Sequence, residues 1–222
     1  FSEADMCVFK MNFFKERPGD TDLLVNKTEL REVETYLKKY LKYDIPWPIT
    51  AMFIKRASLK IEFDEELTRF QDVDFGIRYL LDSTRKVKIS DNNKADCFYR
   101  MPVPSEKRHL DYNFINNINS SQLRLMKTII SEVEEKISDR KSQKEHLKLL
   151  DYFFRRNFRI YILPYIDHID TSYRKLRKLL WKKGIISFKT FITYGIIERM
   201  HLWKWHEKKG TGAYTLTKKW IK

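Results

Sequence analysis

The chain has 222 residues, of which 42% are apolar, so it is long enough to bury a sizeable core in one domain with an appendage. Its 44 Lys and Arg residues outnumber its 30 Asp and Glu residues, and most of the excess lies after residue 170, where Glu198 and Glu207 are the only acidic residues. Any role for basicity therefore belongs to the C-terminal tail. The longest apolar run, residues 185–197, is interrupted by Lys189 and is shorter than the roughly 20 residues that cross a bilayer, so no membrane-spanning helix is predicted.

The two cysteines, Cys7 and Cys97, lie far apart in the sequence, with neither a CxxC spacing nor a neighbouring group of histidines. This pattern does not indicate a disulfide framework or a thiolate metal site. We expect two ordinary thiols in a reducing compartment, which favours a cytoplasmic location.

The N-terminal part predicts a strand followed by a helix. Residues 4–14 alternate loosely and are rich in strand-forming side chains, and the breaker Pro18-Gly19-Asp20 follows them. Asn26 to Glu29 has the spacing of a capping box, and the apolar residues after it keep one helical face through Tyr43. The segment 44–48 ends this helix, because a residue that precedes a proline is disfavoured in the α region.

Trp47 stands between Pro46 and Pro48 in that segment, which makes it a stiff aromatic residue. Such a residue suits two roles. It can be a platform on which a sugar ring stacks, or it can anchor the packing of the core, which is the commoner use of a large aromatic side chain.

The stretch from Phe63 to Leu81 organises the rest of the chain. Its first half mixes carboxylates and aromatic side chains without a period, as a loop does, and its second half has apolar residues at helical spacing. The loop therefore delivers Gln71 and Asp72 to the start of an amphipathic helix, in which Asp74 and Arg78 form an i,i+4 pair. At that place Asp72 can be a positioned base that faces a cleft, or it can cap the helix and complement its dipole.

Two further strands are predicted after this helix, at Val87 to Ile89 and at Ala95 to Met101. A turn at 91–93 separates them, and Pro102 and Pro104 close the second one. Arg78 and Arg100 each have the geometry to hold a diphosphate with two hydrogen bonds. Ordinary ion pairs are the other role for these two side chains, above all the pair of Arg78 with Asp74.

Taken together, these segments resemble the acceptor side of the family 2 glycosyltransferases, which are enzymes of the GT-A type. That family has a Phe-Asp-Glu turn, then a Glu-Asp-x-x-Phe pair that opens a helix, then an Arg. The matching residues here are Phe63-Asp64-Glu65, Gln71-Asp72-Val73-Asp74-Phe75 and Arg78. Residues 47–59 are similar to the family's Trp…Leu-Tyr-Arg-Arg-x-x-Leu segment, and residues 86–89, Phe98-Tyr99-Arg100 and Ser105 are similar to its closing strand, so the resemblance covers residues 1–110.

The resemblance implies an α/β fold, namely the second half of a GT-A-like domain. It casts Asp72 as the catalytic base, with substrate-binding roles for Gln71, Asp74, Trp47, Arg78 and Arg100. It also implies transfer of a sugar, with inversion, from a nucleotide-sugar donor to a glycan or lipid-linked acceptor, as in the synthesis of bacterial surface polysaccharides. A divalent metal ion, Mn or Mg, would steady the leaving diphosphate, and its ligands are expected outside this chain.

Two features depart from the family's pattern. Gln71 replaces the first acidic residue of the usual pair, which removes one carboxylate and leaves Asp72. The family's opening half, with its Ile-Pro-x-Tyr-Asn turn and its Asp-rich metal motif, has no counterpart here, so we expect the C-terminal part of a longer enzyme that does not catalyse transfer alone. The triplet 72–74 and the segment 167–170 carry acidic residues, but neither has the position or the partners of a metal site.

The second half of the chain predicts two amphipathic helices, one from Ser120 to Ile137 and one from Lys144 to Leu163, closed by Pro164. We expect their apolar stripes to be core. The predicted domains are thus residues 1–117, the acceptor side of the catalytic domain, and residues 118–222, a helical and basic appendage.

The tail from Ser172 combines basic side chains with Leu and Trp, and every tryptophan except Trp47 lies in it. This composition suits a helix that lies in the plane of an anionic membrane, over residues 172–209 and on the inner face. It suits equally a surface helix that packs on the protein by its Leu and Ile face. Nucleic acid is a third partner, although no known binding module supports it. A non-enzymatic basic binding module is therefore the alternative function of the chain.

Overall fold

The structure is a computed structural model that describes residues 3–26, 32–90, 92, 94–101, 111–205, 212 and 215. Over these residues the fold is α/β, with short strands in the first half and long helices in the second. The strands are β1 (Met6–Val8), β2 (Met11–Phe14), β3 (Met52–Ile54), β4 (Val87–Ile89) and β5 (Cys97–Arg100). The helices are α1 (Val33–Leu41), α2 (Gln71–Leu80), α3 (Tyr112–Lys136), α4 (Arg140–Asn157), α5 (Ser172–Lys182) and α6 (Phe188–Leu202).

The strands form two small sheets. β1 lies between β3, which is antiparallel to it, and β4, which is parallel to it, whereas β2 pairs in parallel with β5. The single strand predicted over residues 4–14 is therefore wrong, because the chain changes sheets between Phe9 and Lys10. The Phe9 amide donates to the Ala51 carbonyl next to β3, while the Lys10 carbonyl accepts from the amides of Asp96 and Cys97 at the start of β5.

The other predicted strands of the first half are confirmed, with β4 at the expected residues and β5 shorter than expected. Most of the predicted capping box at residues 26–29 lies outside the described residues. The prolines at 102 and 104 and Ser105 lie wholly outside them. The same is true of two residues of the predicted turn at 91–93.

Helices α1 and α2 pack closely, with Tyr40 of α1 lying against the backbone of α2. A Cβ atom added to Gly76 would lie only 2.7 Å from Cζ of Tyr40, so the absence of a side chain at Gly76 is what permits this approach. The Tyr40 hydroxyl donates to the Trp47 carbonyl at 2.8 Å, which fixes the ring from the other side. This contact positions the start of α2.

Helix α3 begins at Tyr112, eight residues before the predicted start at Ser120. The reason is the side chain of Asp111, which caps the helix by accepting hydrogen bonds from the amides of Asn113 and Phe114. The boundary predicted between residues 117 and 118 consequently falls inside a helix. The hydrophobic core is also continuous across it, from β1 and α1 through α3 to α6.

Helix α4 begins at Arg140, before the predicted Lys144, because the Asp139 carboxylate accepts a 2.7 Å hydrogen bond from the Ser142 amide. It ends at Asn157 and passes into a π-helical turn at Phe158–Ile162 and a 3₁₀ turn at Leu163–Tyr165. The predicted helix from Lys144 to Leu163 thus started too late, and its last turns are π-helical and 3₁₀ instead of α-helical.

Helices α5 and α6 pack their inner faces on this core, which confirms the packed-helix interpretation for that part of the tail. The inner faces consist of Tyr173, Leu176 and Leu180 on α5, and of Tyr194, Ile197 and Met200 on α6. The Tyr194 ring lies 5.2 Å from that of Phe154 and 4.7 Å from that of Phe158. None of the helices in the described part of the chain has the length and apolar character needed to cross a membrane.

Candidate active site

Asp72 is the second residue of α2 and is partly buried. The N-cap of this helix is Phe70, whose φ of 68° is left-handed and whose side chain makes no capping bond. The Asp72 Oδ1 atom instead accepts a 2.9 Å hydrogen bond from the Val73 amide. Asp72 is thus not the N-cap of α2, although its carboxylate bonds an amide of the first turn.

Burial raises the pKa of the Asp72 carboxyl, while hydrogen bonds from the amides of Val73 and Asp72 itself oppose that shift. Among the described residues, no Lys or Arg forms an ion pair with this carboxylate. A carboxylate whose pKa is raised and that lacks a counterion is a stronger base than an exposed one. Asp72 is therefore able to accept a proton from a group that reaches its carboxylate.

Two tyrosines that the sequence did not single out lie beside Asp72. Burial raises the pKa of Tyr43 to about 12, and the nearby Tyr161 and Asp72 contribute to that shift. The pKa of Tyr40 is raised too, mainly by burial and also by the charge on Asp72. In the sequence, Tyr40 and Tyr43 are only the end of a helical stripe, so nothing local connects them with Asp72.

An aromatic cluster of Tyr43, Phe70 and Phe153 covers the start of α2. Tyr43 stacks on Phe153 with a centroid distance of 4.3 Å. The Phe70 ring makes edge-to-face contacts with both, at centroid distances of 5.5 Å to Tyr43 and 5.4 Å to Phe153. The Arg156 guanidinium lies 5.1 Å above the Tyr43 ring and donates to the Tyr43 carbonyl at 3.0 Å. Phe70 is the N-cap of α2, and the charge on Asp72 contributes to the raised pKa of Tyr43, so this cluster lies beside the partly buried carboxylate.

Phe75, three residues after Asp72 in α2, packs against other aromatic rings. Its ring stacks on Phe63 at 4.8 Å and on Tyr79 at 6.1 Å. It also lines an open, mainly apolar pocket formed by the segments around Ile49, Met52 and Leu59.

The predicted pair of Asp74 and Arg78 is confirmed, but it faces away from Asp72. The Arg78 Nε atom donates to Asp74 Oδ2 at 2.9 Å, and Arg78 also donates to the Glu62 carbonyl at 2.6 Å. Because successive residues of a helix are rotated by about 100°, Asp74 and Arg78 lie on the side of α2 opposite to Asp72. Burial raises the pKa of the Asp74 carboxyl, and its hydrogen bond with Arg78 opposes that shift.

Asp74 and Arg78 line a separate open pocket of about 750 Å³, between residues 59–64 and helix α3. Thr128 and Glu132 of α3 form its far wall. The structure therefore divides the predicted substrate-binding residues between two sides of α2.

Trp47 lies in the core, with an exposed fraction of only 1%. Its indole ring is 4.8 Å from the ring of Tyr36 and 5.7 Å from that of Tyr40. A sugar cannot stack on this ring unless the core opens, so the structure favours the packing role. Trp47 acts on the site only through Tyr40, which it holds against α2.

Gln71 and Arg100, the remaining predicted site residues, are both exposed. Gln71 is the first residue of α2 and precedes Asp72 directly. Arg100 ends β5, in the sheet that does not contain β4, and its guanidinium lies 5.3 Å above the Phe14 ring. A diphosphate site shared by Arg78 and Arg100 is not indicated by this placement.

The described residues include no group of three His, Cys, Asp or Glu side chains that could hold a metal ion. Asp72 and Asp74 are separated by the helix itself. In the segment 167–170, the Asp170 carboxylate is used at the start of α5, where it accepts from the amide and the hydroxyl of Ser172. These residues do not fit the ligand set of the divalent ion that the family resemblance implies.

Comparisons of this chain with protein-family models, with curated proteins and with solved structures find no match. The α/β class rests on the structure, whereas the family assignment remains a prediction from the order and spacing of the motifs.

Proposed function

We propose that this chain is the acceptor side of an inverting glycosyltransferase of the GT-A type, with Asp72 as its general base. The observation that carries the proposal is the state of Asp72. A motif that resembles the family's catalytic pair leads to a partly buried carboxylate at the start of α2, whose pKa is raised by burial. The motifs on either side of α2, in the order that the family has them, support the same assignment.

In the proposed reaction an acceptor hydroxyl approaches the Asp72 carboxylate. Its oxygen attacks the anomeric carbon of a nucleotide sugar as the carboxylate takes the hydroxyl proton. The bond from that carbon to the diphosphate breaks on the opposite face, so the nucleoside diphosphate leaves with the electron pair and the configuration inverts. Gln71, exposed beside Asp72, is placed to hydrogen-bond the acceptor. The divalent ion that the resemblance implies would take its ligands from outside the described residues, which contain no suitable group of side chains.

Tyr40 and Trp47 are positioning residues in this proposal. The hydroxyl of Tyr40 is bonded to the Trp47 carbonyl, and the ring lies against α2 at Gly76. Their packing holds the first turn of α2, and with it the carboxylate, in a fixed place.

The test is transfer by the complete natural polypeptide, measured with a panel of nucleotide sugars. Asp72→Asn keeps the shape of the side chain but removes the base, so it should lower the rate at saturating substrate by about two to four orders of magnitude while donor binding changes little. Asp74→Asn should cost less, because that residue acts through Arg78 and the helix.

Asp139→Asn is the matched control, since Asp139 also accepts an amide bond at the start of a helix but lies outside the site. If Asp72 were only a helix cap, the two variants would have similar, small effects on the rate. Equal rates for wild type and Asp72→Asn would refute the assignment. The alternative function, a non-enzymatic binding module, predicts that no nucleotide sugar in the panel is consumed by any form of the protein.

A further inference from the structure

Helix α6 carries apolar side chains on its outward side as well as on its buried side. The outward row consists of Phe188, Ile192, Ile196 and Trp203, which are exposed by 60%, 42%, 49% and 56%. Their spacing places them on one side of the helix. A surface helix normally has polar residues there, and an exposed apolar row marks a site of interaction. The exposed Arg199 also lies along this row, between Ile196 and Trp203.

Aromatic residues extend the outward row at both ends. At the start of α6, the exposed Trp181 of α5 lies 5.6 Å from Phe188 and 5.0 Å from Phe191. At its end, the rings of Trp203 and Trp205 are 5.1 Å apart, and both are exposed. The apolar surface therefore continues from α5 to the last described turn of the tail.

The charge around this surface has one sign. Within residues 171–205 the only acidic residue is Glu198, which is buried and accepts hydrogen bonds from Arg174 at 2.6 Å and from Arg177 at 3.0 Å. It is thus neutralised inside the protein and adds no negative charge to the surface. Lys175, Lys178 and Lys182, in contrast, are exposed on α5.

A basic groove meets the outward row at the turn between α5 and α6. It has a volume of about 520 Å³ and no acidic residue in its lining. Its cations are Arg140, Lys144 and Lys148 of α4 and Lys182 and Lys183 of α5 and the turn. Lys183 also pairs with Glu134, at 2.8 Å. The groove ends close to Phe188 along the chain, so cationic and apolar surfaces adjoin.

We propose that the outward face of α5 and α6 docks on an anionic phospholipid membrane. The outward row and Trp181 enter the interface between headgroups and acyl chains, while the lysines of α5 and the basic groove meet the headgroup phosphates. Aromatic side chains with a polar edge and aliphatic side chains surrounded by Lys and Arg are the composition that suits such an interface. The inference does not depend on the proposed catalysis.

Two other occupants fit this surface less well. In a two-fold dimer a surface meets its own copy, which would bring the lysines of both copies together. Nucleic acid would use the cations, but it would leave Ile192 and Ile196 in the middle of the row without a partner, since bases stack on aromatic rings. Of these three occupants, the lipid surface alone contacts both the cationic and the apolar side chains.

The experiment is co-sedimentation of the full chain with vesicles of phosphatidylcholine alone and of phosphatidylcholine mixed with phosphatidylglycerol. The charge variant is Lys175→Gln, Lys178→Gln and Lys182→Gln together, and the row variant is Phe188→Ser, Ile192→Ser and Ile196→Ser together. Each variant has a matched control with three exposed residues of the same kind replaced elsewhere in the chain. The control for the charge variant replaces Arg56, Lys94 and Lys127 by Gln. The control for the row variant replaces Leu23, Phe53 and Tyr152 by Ser.

Wild type should bind the anionic vesicles and not the neutral ones. Each basic residue near such a surface raises the binding constant about fivefold. The loss of three of them should therefore weaken binding by the charge variant about a hundredfold. The row variant should lose at least about tenfold through the apolar area that no longer enters the lipid. Both controls should bind as wild type does. Thermal melting shows which variants are folded.

Four results would overturn the proposal. The first two are a lack of binding to anionic vesicles and an equal loss of binding in the variants and their controls. The third is a wild-type dimer that becomes monomeric in the row variant, with no vesicle binding. The fourth is binding to a duplex or single-stranded DNA probe without vesicle binding. No nucleotide sugar is present in this assay, so its failure is distinct from a failure of the proposed catalysis.

Discussion

Gly76 is the place where the packing that positions Asp72 is most sensitive to a small change. In Gly76→Ala the new methyl carbon would lie 2.7, 2.9 and 3.1 Å from three carbon atoms of the Tyr40 ring. Carbon atoms pack best at about 3.5–4.0 Å, so either the ring or α2 must move. The ring has little freedom, because its hydroxyl is bonded to the Trp47 carbonyl and its face lies against the Trp47 indole.

Two effects of opposite sign decide the result. Replacement of Gly by Ala inside a helix stabilises it by about 1 kcal/mol, whereas overpacking in a well-packed core costs typically about 1–3 kcal/mol. Since the ring is held by its hydroxyl and by Trp47, we expect the clash to exceed the gain in propensity, with a net loss of up to about 2 kcal/mol. For a chain of this length that lowers Tm by a few degrees.

The assay is urea unfolding of Gly76→Ala beside Gly195→Ala, a matched glycine inside α6. A Cβ at Gly195 would lie 3.4 Å from the Arg177 guanidinium, which is an ordinary van der Waals contact, so this control should be neutral or more stable than wild type by up to about 1 kcal/mol. In a Tyr40→Leu background the cost of Gly76→Ala should disappear. Equal gains in stability for both glycine variants in the wild-type background would refute the packing argument.

Two further predictions concern buried charge. Glu198→Ala should lower the free energy of unfolding by about 3–5 kcal/mol, because it leaves the mostly buried Arg177 without its partner, and a loss below about 1 kcal/mol in urea would contradict this. Burial raises the pKa of Asp72 in the folded state, so the folded protein keeps a proton that the unfolded chain releases. The free energy of unfolding therefore falls as the pH rises from 3.8, the ordinary pKa of this group, through the folded pKa. Asp72→Asn should therefore be more stable than wild type at neutral pH and lose this advantage below that value, whereas an advantage that is constant with pH would speak against a titrating Asp72.

The parts of the fold that were predictable are those specified by neighbours in the sequence. Helix α2 and its Asp74–Arg78 pair follow from apolar spacing and from an i,i+4 interaction, both of which are local. The change of sheet at Phe9 and Lys10 depends on partners near residues 51 and 96, which no local pattern shows. The early start of α3 is an intermediate case, since Asp111 is a local cap but the Asn-rich turns that follow it have little apolar periodicity.

The same distinction holds for the candidate site. That Asp72 opens a helix was visible in the sequence, and the helical rotation that turns Asp74 away from it was available too. The burial of Trp47 was not, because it depends on Tyr36 and Tyr40 of a different helix. Nor was the contribution of Phe153, which reaches the start of α2 from the second half of the chain.

The cluster of Tyr43, Phe70 and Phe153 also has a consequence for the order in which the protein acquires its structure. Tyr43 and Phe70 have φ angles of 60° and 68°, and a residue other than Gly in that region costs about 1–3 kcal/mol. Phe153 packs on both rings, but it is synthesised long after them. A nascent chain that has not yet released α4 therefore lacks the contact that offsets this strain. We therefore expect the first turn of α2, with Asp72 in it, to acquire its final conformation only after α4 has docked.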